Sequence, residues 1–204
     1  MPKQTFFNLP REKQEKLMDA AKKEFSRVPL HEASISNIVK NAKIPRGSFY
    51  QYFENKEDAF FFLLKEHNKV GHKQLLSILE KTEGDLLESC VQVFQYMLMN
   101  FQDKENRSFF KNTFLNMDHK TTTAFTPSSS EFKICQYPSK IMDAIDMSKL
   151  NISDEEEFFH VLQIIKAITF HNLIQNFAKE KSVEEALQNY KYQIDLLKKG
   201  LSKK

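Results

Sequence analysis

Arg46, Ser48, Tyr50, Tyr52 and Lys56 crowd into one short stretch of the chain, and they are residue types that hold nucleic acid. A guanidinium such as Arg46 can donate two hydrogen bonds to a guanine edge or pair with a phosphate. Ser48 can bond to bases or phosphate, and Tyr52 can offer its hydroxyl to phosphate. The ring of Tyr50 can press on a thymine methyl. Lys56 falls on the first turn of the next predicted helix, where its charge and the free N–H groups suit a phosphate oxygen.

Competing chemistries find little support. His160 and His171 share a predicted helix face but lie about 16 Å apart along its axis, too far for one metal. His67 and His72 diverge, and no HExxH sequence occurs. Glu155, Glu156 and Glu157 follow Ser153 at a helix start, where acids favour the macrodipole rather than acid–base work. Cys90 and Cys135 are isolated, which provides neither zinc spacing nor a disulfide framework. No enzyme, metal or cofactor is expected.

Charge divides along the chain. The net charge is only +3. Residues 1–56 hold 11 Lys and Arg against 6 Asp and Glu, a surplus of five, whereas residues 57–204 carry a net −2. The expected division is a basic DNA-binding domain over residues 1–56 and a helical domain over residues 57–204.

The elements that must position these residues read as helices throughout. Four Gly and six Pro in 204 residues are too few turn-makers for a sandwich or barrel, and the fold class expected is all-α. Leu17, Ala20, Ala21 and Phe25 mark a helix opening at Pro10 and stopped by Pro29. A second helix is capped by Ser34 and runs to Ala42. A tight turn at Lys43 and Ile44 leads to a third, opened by Pro45 and ending near Phe53. Asn55 caps a long helix from Lys56 to about Lys81, whose inward stripe includes Phe60, Leu63, Leu64, His67, Val70 and Gly71. Further apolar stripes cover Leu87–Phe101 and Phe109–Met117. Residues 118–130 read as loop, and 131–146 as a helix interrupted at Pro138. Capping boxes are expected at Ser153 with Glu156 and at Ser182 with Glu185. The longest unbroken apolar run is Ala59–Leu64, far below a membrane span. No signal-peptide pattern precedes Pro10, so a cytoplasmic protein is expected.

The first three helices have the helix-turn-helix layout, whose last helix enters the major groove. The runs Ser34-Ile35-Ser36-Asn37-Ile38-Val39-Lys40-Asn41-Ala42 and Ile44-Pro45-Arg46-Gly47-Ser48-Phe49-Tyr50-Gln51-Tyr52-Phe53-Glu54-Asn55-Lys56-Glu57 resemble the DNA-binding domain of tetracycline-repressor-like (TetR) regulators. The resemblance spans roughly residues 10–65. It implies DNA contacts from Ser34, Ile35 and Ser36, from Arg46, Gly47, Ser48, Phe49, Tyr50 and Tyr52, and from Lys56. Pro45 fits the first turn of the recognition helix, and Gly47 would let the backbone approach DNA closely. Lys43 departs from the family, whose turn usually has Gly there. A left-handed non-Gly residue costs about 1–2 kcal/mol, though Lys43 also adds a charge. Core packing is the competing role for Phe49 and the preferred one for Phe53.

A helix-turn-helix regulator reads two half-sites as a dimer. Val183, Leu187, Tyr190, Ile194, Leu197 and Leu201 follow a 4-3-4-3-4 spacing, the a/d pattern of a helical seam. Packing within the protein's own core produces the same spacing. The resemblance implies a dimer through the last two helices. It also implies a small hydrophobic effector bound among the middle helices, with Phe94, Met97, Phe101, Phe110, Phe114, Tyr137, His171 and Gln175 as candidate lining. The function expected is a ligand-responsive repressor acting as a homodimer on a palindromic operator. The alternative is a helical interaction or small-molecule-binding protein whose helix-turn-helix is incidental.

Overall fold

The computed structural model describes residues 1–116 and 139–201, and among them there are helices and turns but no strand. Ten α-helices are described: α1 (Gln4–Phe7), α2 (Arg11–Arg27), α3 (Ile35–Ala42), α4 (Arg46–Tyr52), α5 (Lys56–Lys81), α6 (Leu86–Asn100), α7 (Lys104–Leu115), α8 (Ser139–Asp143), α9 (Glu155–Lys179) and α10 (Val183–Leu201). The chain forms two compact units, Met1–Val70 with Asp103–Asp118, and Gly71–Gln102 with His119–Lys204. These units do not follow the 56/57 division expected from charge. α5 belongs to the first as far as Val70, and α7 joins the first although it follows α6 in sequence.

The first unit is built round phenylalanine. Phe6, Phe25, Phe49, Phe53, Phe60 and Phe109 are each no more than 3% exposed. Phe6 packs against Phe53 and Phe62, with ring centroids 5.1 and 5.3 Å away. Phe60 bridges Phe25 and Phe109 at 5.2 and 5.7 Å. Polar bonds explain why α7 lies on α2. The Asn112 amide donates to the carbonyls of Phe25 and Ser26, both at 3.0 Å, satisfying groups that the end of α2 leaves open.

The turn between α3 and α4 sits as the sequence predicts. Lys43 is left-handed, with φ 57° and ψ 45°, and Ile44 N–H reaches back to Val39 O at 3.1 Å. This is a Schellman-type end carried by a lysine instead of glycine. Lys43→Gly should therefore stabilise the protein by about 0.5–1 kcal/mol, despite the entropy that glycine adds to the unfolded chain. An increased urea midpoint at unchanged m-value is the expected readout, and a decreased midpoint would show that the left-handed lysine carries no strain.

The second unit closes on α10. Tyr190 and Ile194 are fully buried within the chain itself. The Tyr190 ring stacks on Phe94 at 4.1 Å, and its hydroxyl bonds with that of Thr169 at 2.7 Å. Cys90 lies in the same apolar surroundings, which push its thiol up to about 12. Gly84 makes the turn before α6: its φ is +78°, and a Cβ there would come within 2.6 Å of Asp146 N.

Several caps match expectation. Ser182 and Glu185 form a reciprocal box, with backbone–side-chain bonds of 3.2 and 3.1 Å. Asn55 accepts from Asp58 N–H at 2.9 Å. The box expected at Ser153 and Glu156 moves one residue on. Asp154 accepts from Glu157 N–H at 2.8 Å, and Glu157 accepts from Ser153 N–H at 2.6 Å. A carboxylate outcompetes the hydroxyl beside it as an acceptor. Val70 and Gly71, placed on the inward stripe of α5, are exposed instead.

Candidate nucleic-acid interface

Geometry at the start of α4 begins with a buried carboxylate on α2. Glu24 is 2% exposed and sits below the helix-turn-helix. It accepts two bonds from Arg27 at 2.9 and 2.8 Å, one from Ser34 N–H at 2.9 Å and one from the Asn37 amide at 3.1 Å. The Arg27 hydrogen bonds hold its carboxyl below the ordinary value of 4.5, against the opposing effect of burial. Glu24 therefore joins the end of α2 to the start of α3. Ser34 occupies the N-cap position of α3 without a side-chain cap bond. Its own N–H is held by Glu24 instead. Nothing in the sequence pattern singles Glu24 out, because a lone acid among lysines reads as surface.

With α3 anchored, its first turn meets that of α4. The Arg46 guanidinium donates to Ser36 Oγ at 2.6 Å, and both side chains are exposed. Lys43, Pro45, Gly47 and Tyr50 are exposed as well, and Ser34, Ile35, Ser48, Tyr52 and Lys56 are half-buried. The structure thus brings Ser36 and Arg46 together and leaves their neighbours on α4 open to solvent.

Two expected contacts need correction. Phe49 is 0% exposed, packed 5.5 Å from Phe53, so its ring belongs to the core and cannot reach a base. Its place on so short a helix left both faces open to the sequence reading. Lys56 donates to the carbonyls of His31 and Ala33 at 2.8 and 3.0 Å. That occupies two of its three ammonium protons in tying the start of α5 to the loop before α3, leaving one for a phosphate.

Gly47 separates fold from binding. A Cβ added there would meet nothing within 4 Å. Gly47→Ala should leave the fold intact or stabilise it by up to about 1 kcal/mol through helix propensity. If the backbone at Gly47 lies against DNA, the same methyl should weaken DNA binding by about tenfold or more, some 1.4 kcal/mol. Unchanged affinity in a stable variant would place Gly47 away from the DNA.

The remaining candidates are dispersed. Phe110 and Phe114 lie on α7 in the first unit, whereas Phe94, Met97, Phe101, His171 and Gln175 lie in the second. Phe94 and Phe101 are packed in the second unit's core, against Tyr190 and Phe177 respectively. His171 is exposed, and Met97 and Gln175 are half-buried. Tyr137 and Cys135 lie outside the described residues. An open groove of about 470 Å³ between α6 and α10 is lined by Val91, Tyr96, Met99 and Lys191, among others, and by none of the candidate residues.

The heptad stripe on α10 is also corrected in part. Tyr190 and Ile194 face their own unit and are unavailable to a seam, whereas Val183, Leu187 and Leu197 are half-buried; the Leu201 side chain lies outside the described residues. Among the described residues, the apolar side chains that remain exposed on the last two helices are Ile164, Ala167 and Ala178 on α9 and Tyr192 and Leu196 on α10.

Residues 85–201, more than half of the chain, match the family model described as "Tetracyclin repressor-like, C-terminal domain", and residues 17–61 match "Bacterial regulatory proteins, tetR family". The chain belongs to the tetracycline-repressor-like family. Its helix-turn-helix is thus the TetR-type one that the Ser34–Glu57 runs resemble. Among curated relatives, the HTH-type transcriptional repressor NemR of Escherichia coli is 33% identical over 67 residues, 33% of this chain and 34% of NemR. The fatty acid metabolism regulator protein of Bacillus subtilis is 35% identical over 78 residues, 38% of this chain and 37% of that protein. The chain therefore spans little more than a third of the length of either. SmeT, the repressor of the Stenotrophomonas maltophilia multidrug efflux pump SmeDEF, has the same TetR-like fold. It superposes with a TM-score of 0.63 at 13% identity, over 97% of this chain and 93% of SmeT. Among the described residues, no helix is long and apolar enough to cross a membrane, and no group of three or more His, Cys, Asp or Glu could hold a metal ion.

Proposed function

We propose that this protein is a sequence-specific, DNA-binding transcriptional repressor of the cytoplasm, acting as a homodimer on a palindromic operator. The observation that carries this reading is the junction of α3 and α4. Arg46 is exposed at the first turn of α4, held 2.6 Å from Ser36 at the first turn of α3, within a family of bacterial regulatory proteins. Two such heads must lie one helical turn of DNA apart, about 34 Å, to read two half-sites. The exposed apolar side chains of α9 and α10, Ile164, Ala167, Ala178, Tyr192 and Leu196, are the face offered for the dimer. The second unit also receives a small hydrophobic effector. That ligand lowers DNA affinity by preferring a state with the wrong half-site spacing. α5, which contributes to both units, is the continuous element that carries the change.

Arg46→Ala tests the reading. With a fragment selected from genomic DNA by the wild-type chain, specific affinity should fall by about 1–3 kcal/mol. Wild-type affinity should also fall steeply with salt, because every phosphate neutralised releases counterions. Affinity insensitive to both the substitution and salt would reject α4 as a recognition helix.

A further inference from the structure

α4 has only seven residues, and a helix that short does not hold itself in water. Its last four carbonyls have no partner inside the helix. Each has one outside. Phe49 O accepts from Phe53 N–H at 2.9 Å, the chain's own continuation. The other three are met by two residues near the opposite end of the first unit's sequence. Tyr52 O accepts from Lys3 N–H at 2.8 Å. Tyr50 O accepts from the Lys3 ammonium, also at 2.8 Å. Gln51 O accepts from the Thr5 hydroxyl. Phe6 fixes the segment in place, 1% exposed and inserted between Phe53 and Phe62. The Lys3 charge also lies at the negative end of the α4 dipole, which would otherwise face any nearby phosphate unscreened.

We infer that Lys3 and Thr5 are positioning residues of the recognition helix. They hold its far end so that Arg46, Ser48 and Tyr50 meet the groove as one set, and they do so without touching DNA. The inference rests on the DNA-binding reading above. It makes α1 and the residues beside it part of the reading head, although they lie outside the segment that matches the family's DNA-binding domain, residues 17–61.

The test compares two double variants of the full chain. Lys3→Met with Thr5→Val keeps the side-chain volumes and removes both side-chain donors. Lys3→Arg with Thr5→Ser keeps a donor at each position. The probe is a DNA fragment selected by the wild-type chain, and amide hydrogen exchange is followed alongside. The Met/Val variant should lose about tenfold to a hundredfold in affinity, as expected for two hydrogen bonds of ordinary strength. Its α4 amides should exchange faster while those of α2 and α3 keep their rates, and the Arg/Ser variant should recover both properties. Unchanged α4 exchange, unchanged affinity, or an equal loss in the Arg/Ser variant would each overturn the inference. If the Met/Val variant does not fold, Thr5→Val against Thr5→Ser makes the same comparison. Failure of the wild-type chain to select any fragment sinks the DNA reading and this inference with it, whereas normal wild-type binding with an insensitive Met/Val variant sinks the inference alone.

Discussion

Glu24→Ala should destabilise the protein by about 3 kcal/mol at pH 7. The carboxylate is buried, and it accepts four hydrogen bonds from three residues on α2, at Ser34 and on α3. Removal leaves Ser34 N–H and the Asn37 amide without their acceptor. The Arg27 side chain is 56% exposed and returns to water, so the cost stays below that of stranding a fully buried ion. The pH dependence identifies the cause. Because the folded-state pKa of Glu24 lies below its ordinary value of 4.5, its contribution is fully present above that value and is lost as pH falls through the folded-state pKa. Urea unfolding of wild type and variant should therefore differ most near neutrality and converge in acid. A constant gap from pH 7 to pH 3 would mean that Glu24 acts through packing and not through its charge. Glu24→Gln should rescue only in part: an oxygen at the Oε1 place still accepts from Ser34 N–H and the Asn37 amide, but the NH2 then stands against Arg27 Nε–H and the charge is lost. DNA affinity should fall too, because the start of α3 and its Ser36–Arg46 contact depend on this anchor.

Phe53→Ala should cost about 3–5 kcal/mol, a large part of the stability of a typical domain. The ring is 0% exposed and packs 5.1 Å from Phe6, 5.5 Å from Phe49 and 6.4 Å from Phe62. No neighbour can collapse into the space without breaking an aromatic pair. Phe53→Leu, closer in volume, should cost less than about 1.5 kcal/mol and keep DNA binding. The comparison is read from urea midpoints at constant m-value. A loss below about 1 kcal/mol in Phe53→Ala would show that the cluster is loosely packed. The same cluster accounts for the composition. Much of the unusual content of 19 Phe and no Trp is spent on ring-to-ring packing inside the first unit, not on an effector pocket.

α2, α3 and α4 were legible in the sequence because their signals are local. Pro29 follows one residue behind the extended Val28 that ends α2, and Pro45 stands immediately before Arg46. The turn at Lys43 depends on bonds that span only a few residues. α1 was not legible. Four residues carry no periodicity, and Phe6 becomes a core residue only once Phe53 and Phe62 are beside it. Lys56 was legible as a charge at a helix start, but its two backbone partners were not, since His31 and Ala33 are distant in sequence.

The sequence by itself determined an all-helical chain, a basic segment, a helix-turn-helix and the side chains on its recognition helix. Periodicity, caps and charge suffice for these, because each is a property of neighbouring residues. Tertiary structure alone decided which apolar face meets which. The stripe on α7 serves the first unit, and Tyr190 and Ile194 on α10 serve their own chain's core while Tyr192 and Leu196 stay exposed. An apolar stripe records that a face avoids water, but nothing in its spacing names the surface that covers it. The partners of Glu24 and the caps of α4 by Lys3 and Thr5 belong to the same class, because a buried acceptor can be satisfied by any donor that the fold brings within reach.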